Sequence, residues 1–153
     1  MKEATDIGVE MVDDNNLKVY FDTATAGTAA VNIGGIALTS SYAENFTIQS
    51  SLLSYQENID VDSASTETIA TVNTGSHSGA FFDYTCINGS NARAGTVMAI
   101  YNGGSVEYTD NSTSDIGTTS GVTFSVDTSG ANMRLRATVT SDNWIIKTLV
   151  RAL

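Results

Sequence analysis

Two segments near the end of the chain set the terms for any fold it can adopt. Val122-Thr123-Phe124-Ser125-Val126-Asp127 places an apolar residue at every second position. Met133-Arg134-Leu135-Arg136-Ala137-Thr138-Val139 does the same, with both arginines on the opposite side. Side chains alternate across a strand, so each segment reads as a strand with one dry and one wet face. Similar apolar or Thr-rich runs recur from about Phe46 onward, each closed by a polar turn. They predict strands over 46–50, 67–73, 80–87, 93–101, 105–109, 121–127, 131–140 and 143–151. The turns between them are Asn88-Gly89-Ser90-Asn91, Asn102-Gly103-Gly104, Asp110 to Thr119, Thr128-Ser129-Gly130 and Ser141-Asp142-Asn143. Eight short strands at this spacing predict an all-β fold, an antiparallel β-sandwich or jelly roll.

Composition agrees. Thr (21), Ser (17), Asn (12) and Asp (11) are abundant, and proline is absent. Thr favours strands, while Ser, Asn and Asp favour turns. A chain of this size ordinarily carries roughly eight prolines. A strand proline removes a ladder donor, so their absence fits a chain made mostly of paired strands. Low charge density (16 %) and 41 % hydrophobic content argue against disorder. At 153 residues one core suffices without disulfide staples.

The N-terminal part has a different character. Ile7 to Val12 and Leu17 to Phe21 flank the turn cluster Asp13-Asp14-Asn15-Asn16 and predict a β-hairpin. Residues 22–45 are small and rich in Gly, Ala and Thr. An isolated two-stranded hairpin is marginal in water, so this part is expected to lean on the main domain or on neighbouring copies. The division is therefore 1–45, a hairpin and attachment segment, and 46–153, the sandwich. Leu52-Leu53-Ser54-Tyr55-Gln56-Glu57 is compatible with one helical turn or with a loop. The run Trp144-Ile145-Ile146-Lys147-Thr148-Leu149-Val150 is nearly continuously apolar. It predicts a strand buried on both sides or at a subunit contact, with Trp144, Ile146 and Leu149 as candidate interface residues.

Several function classes are excluded or disfavoured. A single cysteine and a single histidine rule out an intrachain disulfide, a thiolate zinc cluster and a multi-histidine metal site. A net charge of −10 argues against a nucleic-acid partner, which needs clustered cations. No apolar run is long enough to insert in a membrane, and the first residues carry no secretory apolar segment.

The candidate chemical groups each have a simpler reading. His77 lies in Thr74-Gly75-Ser76-His77-Ser78-Gly79, but adjacent residues on extended chain point apart, and no Gly-x-Ser-x-Gly elbow is present. It reads as a loop histidine. Cys86 sits in an apolar strand without a cationic sequence neighbour and reads as a small buried hydrophobe. Asp110-Asn111-Ser112-Thr113-Ser114-Asp115-Ile116-Gly117 is rich in oxygen donors but departs from an EF-hand loop, lacking the glycine at position six and the closing glutamate. Asp13-Asp14 and Asp60-Val61-Asp62 are further hard-cation candidates, and the pattern leaves the metal undecided. A glycosidase pair among the carboxylates depends on spatial separation, which the sequence does not give. Gly34-Gly35 and Gly103-Gly104 precede no helix, so phosphate cradling has no support, and no cofactor is expected. Asn45-Phe46-Thr47, Asn88-Gly89-Ser90 and Asn111-Ser112-Thr113 match the glycosylation triplet by composition. The tyrosines are the stronger lead. Tyr101, Tyr108, Tyr84, Tyr55 and Tyr42 lie at turns and strand ends among polar residues, the composition of a saccharide- or protein-reading surface and equally of a sandwich rim. Tyr101, Tyr108 and Asn102 are the surface-recognition candidates.

Ala80-Phe81-Phe82-Asp83-Tyr84-Thr85, Arg93-Ala94-Gly95-Thr96-Val97-Met98-Ala99, Gly121-Val122-Thr123-Phe124-Ser125-Val126 and the ending from Trp144 to Leu153 together resemble the C-terminal module of structural proteins from marine tailed bacteriophages. The likeness covers roughly residues 42–153. It implies a virion component in a tail fibre or similar appendage, assembled in the host cytoplasm from many copies, with a homotrimer favoured. Its implied partners are other virion proteins and a host-surface saccharide or protein. It brings no catalytic residue and no cofactor. A capsid decoration or head-fibre role is the alternative, and a polysaccharide depolymerase is the least supported reading.

Overall fold

The computed structural model describes the strands Asp6–Asp13 and Asn16–Asp22 through their backbone, and residues 45–153. The chain divides into two compact units, Met1–Thr39 and Ser40–Leu153. In the first, β1 (Asp6–Asp13) pairs antiparallel with β2 (Asn16–Asp22), closing at Asp13 opposite Asn16. This is the predicted hairpin. The attachment segment 23–44, with Tyr42, lies outside the described residues.

The second unit is all-β. Its strands are β3 (Asn45–Ile48), β4 (Ser51–Val61), β5 (Glu67–Asn73), β6 (Gly79–Asn88), β7 (Asn91–Asn102), β8 (Ser105–Ser112), β9 (Val122–Ser129), β10 (Asn132–Val139) and β11 (Trp144–Ala152). Six of them form one sheet in the order β3-β4-β11-β6-β7-β8, and three form another in the order β5-β10-β9. All their pairings are antiparallel. One apolar cluster draws on both sheets, so they pack as a sandwich.

The alternation read from sequence decides which side chains enter that core. Ala80, Phe82, Tyr84 and Cys86 of β6 are buried, as are Trp144, Ile146, Val150 and Ala152 of β11. Opposite them lie Val122, Phe124 and Val126 of β9 and Met133, Leu135, Ala137 and Val139 of β10. Three of the hairpins fall at the predicted turns and close through polar residues. Asn88 opposes Asn91, Asn102 opposes Ser105 and Ser129 opposes Asn132. At the tightest, Gly103 and Gly104 take φ of 58° and 91°, a left-handed pair that only glycine adopts without strain and that suits strand twist.

Three differences from the sequence reading have physical causes. Residues 52–57 are neither a helical turn nor a loop; they belong to the eleven-residue strand β4. Between the inward apolar residues Leu52 and Val61 its inward positions are polar (Ser54, Gln56, Asn58), while Leu53 and Tyr55 point outward, so the usual alternation is inverted over the middle of the strand. These polar groups are satisfied. The Gln56 side-chain amide donates to the Thr71 carbonyl (3.0 Å) and accepts from the Thr71 N–H (2.9 Å), standing in for a neighbour at the free edge of β5. The Asn58 amide donates to Glu67 (2.7 Å), and Thr148 donates to the Gln56 carbonyl (2.7 Å). Second, β8 continues through Asp110, Asn111 and Ser112, so the oxygen-rich turn begins three residues later than predicted. Third, β11 is not buried on both sides. Its pattern alternates strictly, and Ile145 and Leu149 stay exposed in the single chain.

Candidate functional site

The two outward faces of the sandwich differ in chemistry. On the three-stranded sheet the outward residues are Thr68, Thr71, Thr123, Ser125, Asp127, Arg134, Arg136 and Thr138. Asp127 accepts from Arg134 at 2.8 and 2.7 Å and from Arg136 at 3.0 Å. The Arg134 hydrogen bond leads in holding the Asp127 carboxyl below its ordinary range, against a smaller opposing cost of burial. This face is an ordinary wet surface.

The outward face of the six-stranded sheet is mixed: Glu57, Asp83, Glu107, Lys147 and Arg151 lie on it, but so do six exposed large apolar side chains. Leu53, Tyr55, Ile87, Ile100, Ile145 and Leu149 are all exposed there. Register fixes their neighbours: Leu149 lies between Tyr55 of β4 and Asp83 of β6, and Ile145 lies beside Ile87. Phe81 and Met98 are cross-strand partners on the same face. Shallow depressions lie along it, one lined by Phe81, Met98, Ile100 and Leu153 together with Glu107 and Thr109, another by Ile87, Ala92 and Ile116 together with Arg93 and Thr113. Six large apolar side chains exposed on one sheet face, rather than scattered singly over the surface, mark this face as a candidate contact surface.

Four of the charged groups on this face pair within the chain, while Glu107, opposite Ile100 on the edge strand β8, is exposed and makes no ion pair among the described residues. Arg151 reaches Asp83 at 2.9 Å and lies 4.9 Å from the centre of the Phe81 ring. Lys147 lies 3.6 Å from Glu57. Burial pushes the Asp83 carboxyl up, but hydrogen bonds from Arg151 and Thr96 outweigh it and hold the group below its ordinary range. Tyr55 donates to Glu57 at 2.6 Å, which raises the phenol's pKa.

The structure places the recognition candidates on two different sides. Tyr101 and Tyr108 take inward register positions on β7 and β8. Tyr101 is half-buried against the core, and Tyr108 remains 44 % exposed because three strands cannot cover six. Asn102 lies at the hairpin tip with its position on the outward side, so the three do not form one patch. Of the interface candidates, Trp144 and Ile146 are core residues of their own chain, 3 % and 0 % exposed, and Leu149 alone is presented outward at 43 %. The Trp144 indole N–H donates to Ser141 at 3.0 Å.

Where the small sheet ends, a polar plug closes the core. Tyr84 packs against Phe124 with ring centres 4.2 Å apart and donates to Asp110 at 3.0 Å. Arg93 lies 5.9 Å from both ring centres, donates to the Val122 carbonyl and stands 4.0 Å from Asp110. Burial, and then the Asp110 hydrogen bond, push the Tyr84 phenol up to about 12. Asp110 is thereby engaged in the fold, and Asp115 accepts from the Thr119 N–H at 3.1 Å. The two carboxylates of the oxygen-rich segment thus serve separate bonds. Asp62 accepts from the Asn143 N–H at 3.1 Å. Among the described residues no three His, Cys, Asp or Glu side chains gather as a metal site. The side chains of Asp13 and Asp14 lie outside the described residues.

His77 stands in the turn after β5, its N–H bonded to the Asn73 carbonyl at 3.1 Å, and its buried Nδ1 has no partner among the described residues. Among the described residues no serine hydroxyl pairs with the ring. Cys86 is fully buried, and burial raises its thiol pKa, only partly countered by Arg93.

Sequence reasoning named Leu149 as a contact residue but missed the rest of the six-stranded sheet's outward face, Leu53, Tyr55, Ile87, Ile100 and Ile145. Its signal was present in the odd-numbered residues of β4 and β11, but only the sheet order brings those residues side by side. Comparison with protein-family models, with curated proteins and with solved structures found no match to this chain.

Proposed function

We propose that this chain is a structural protein of a tailed-bacteriophage virion, a repeated non-catalytic subunit of a tail fibre or similar appendage. It works by binding copies of itself and neighbouring virion proteins. The observation that carries the reading is the chemical asymmetry of the sandwich. One outward face carries polar side chains throughout, and the other exposes six large apolar side chains that a neighbouring subunit would cover. The resemblance of residues 42–153 to phage structural modules supplies the setting. Proline-free, Thr-rich strands suit an assembly in which neighbours cover sheet surfaces and edges.

Mass spectrometry of purified particles tests this reading. The chain is expected among the virion proteins, at a few copies per particle for an appendage. Capsid-scale stoichiometry would move it to the head as a decoration protein. Absence from particles would refute both. A contact with a host saccharide or protein is part of the proposal, and the exposed rim at Tyr108 is where it is expected. Loss of adsorption on Tyr108→Ala, with particle yield unchanged, would support it.

A further inference from the structure

We propose that the outward face of the six-stranded sheet is the surface through which copies of this chain bind one another, with Leu149 in the middle of the contact and Ile145 and Ile87 toward one end. The inference deepens the reading of the chain as a repeated subunit and rests on it.

Three observations select a second copy as the occupant. The first is size. Six strands spaced about 4.8 Å apart, each about nine residues long, span roughly 700 Å². A stable protein–protein contact buries about 800 Å² on each partner, so the face matches what one copy offers another. The second is charge. The chain carries a net charge of −10, so two copies repel through most of their surface. On this face Arg151 is balanced by Asp83 and Lys147 by Glu57 within each chain. Glu107, outward on the edge strand β8 opposite Ile100, has no ion-pair partner among the described residues. The neutral approach is therefore the middle of the face, along β4, β11 and β6, where bringing two copies together strands no charge without its partner. A strongly basic partner would instead be drawn to the acidic remainder of the surface.

The third observation is shape and pattern. Exposed apolar residues lie toward both ends of the face, Ile145 and Ile87 at one and Leu53 and Ile100 at the other, with Leu149 between the two ion pairs along β11. A sheet face of this kind packs naturally on another sheet face at about 10 Å, side chains interleaving as they do inside the sandwich. The polar outer face of the small sheet, with its Arg134–Asp127–Arg136 network, has no such pattern.

The test is sedimentation velocity on the full chain, comparing wild type with Leu149→Lys, Ile145→Thr and Thr123→Lys. The emission of the single tryptophan and far-ultraviolet circular dichroism monitor folding. Wild type is expected to be oligomeric. Leu149→Lys should raise the dissociation constant by at least about thirtyfold, the scale of a central interface residue. Ile145→Thr keeps a β-branched side chain suited to a strand and should also weaken association with the fold intact, so the test does not depend on Leu149→Lys folding. Thr123→Lys, on the wet face, should leave association unchanged. An oligomer unmoved by the folded β11 variants, or one broken by Thr123→Lys, overturns the inference while leaving the virion reading standing. A wild type that stays monomeric at its highest soluble concentration overturns it outright. Absence of the chain from particles refutes the virion reading independently.

Discussion

Removing the Trp144 indole tests the packing most sharply. The side chain is 3 % exposed and begins the strand at the centre of the large sheet, and its one polar atom is satisfied by Ser141. A buried tryptophan removes roughly 150–250 Å² from water. At about 25 cal/mol per Å² that corresponds to roughly 4–6 kcal/mol, an upper figure because the unfolded chain already buries some of this area. Measured truncations of buried aromatic residues to alanine cost about 3–5 kcal/mol, and Trp144→Ala should fall there. For a unit the size of Ser40–Leu153, each kcal/mol moves the melting midpoint by about 4 °C, so the expected drop is roughly 12–20 °C. The assay is thermal unfolding followed by circular dichroism at fixed protein concentration, since assembly couples to stability. Trp144 is the only tryptophan, so native fluorescence reports on it alone. Its emission should be blue-shifted and move red on unfolding. A drop below about 4 °C, equivalent to less than about 1 kcal/mol, or a solvent-like native emission, would refute the placement of this ring in the core.

Other positions give independent checks. Gly95 faces Tyr84 across the β6–β7 pair, and a Cβ there would lie 2.5 Å from the Asn111 carbonyl and 2.7 Å from the Tyr84 hydroxyl. Gly95→Ala should therefore cost about 1–3 kcal/mol in a urea titration, and an unchanged midpoint would show that β8 lies elsewhere. Gln56→Ala should leave global stability within about 1–2 kcal/mol of wild type while the Thr71 amide exchanges with deuterium markedly faster, since its only side-chain partner is gone. Asp127 has its pKa depressed in the fold, so its contribution is present above the ordinary carboxylate value of about 4 and is lost as pH falls through the lower folded value. Asp127→Asn should flatten the acid limb of the stability profile, and an identical acid limb would contradict the Arg134 pairing. Cys86, buried with a raised pKa, should resist thiol reagents in native buffer and react at once in denaturant.

Much of the architecture was legible because burial and alternation agree in this chain. In β9 and β10 the apolar residues read from sequence are the residues that meet across the two sheets, and β5 was predicted over its observed extent. The Asn-Gly and Gly-Gly turns located the hairpins because left-handed backbone selects those residues. The strand β4 was illegible for a definite reason. Between Leu52 and Val61 its inward side is polar, and the Gln56 and Asn58 side chains are satisfied by Thr71 and Glu67 of the other sheet. The apolar run at the end of the chain was overread for the related reason that Ile145 and Leu149 are apolar and outward. A sequence window sees an apolar residue and cannot tell which of two faces it joins. The site was less legible than the fold. Tyr101, Tyr108 and Asn102 are close in sequence but separate across the sheet, whereas Leu53, Leu149 and Phe81 are distant in sequence and share one face.

A cryo-electron microscopy map of the assembled particle tests most directly the claim that this sandwich is an assembly module covered on the outward face of its six-stranded sheet. The account predicts neighbouring copies turned so that their six-stranded sheets face one another, with Leu149 buried between them and the Arg134–Asp127–Arg136 face toward solvent. Copies joined through the three-stranded sheet, or six-stranded faces lying open to water, would contradict it.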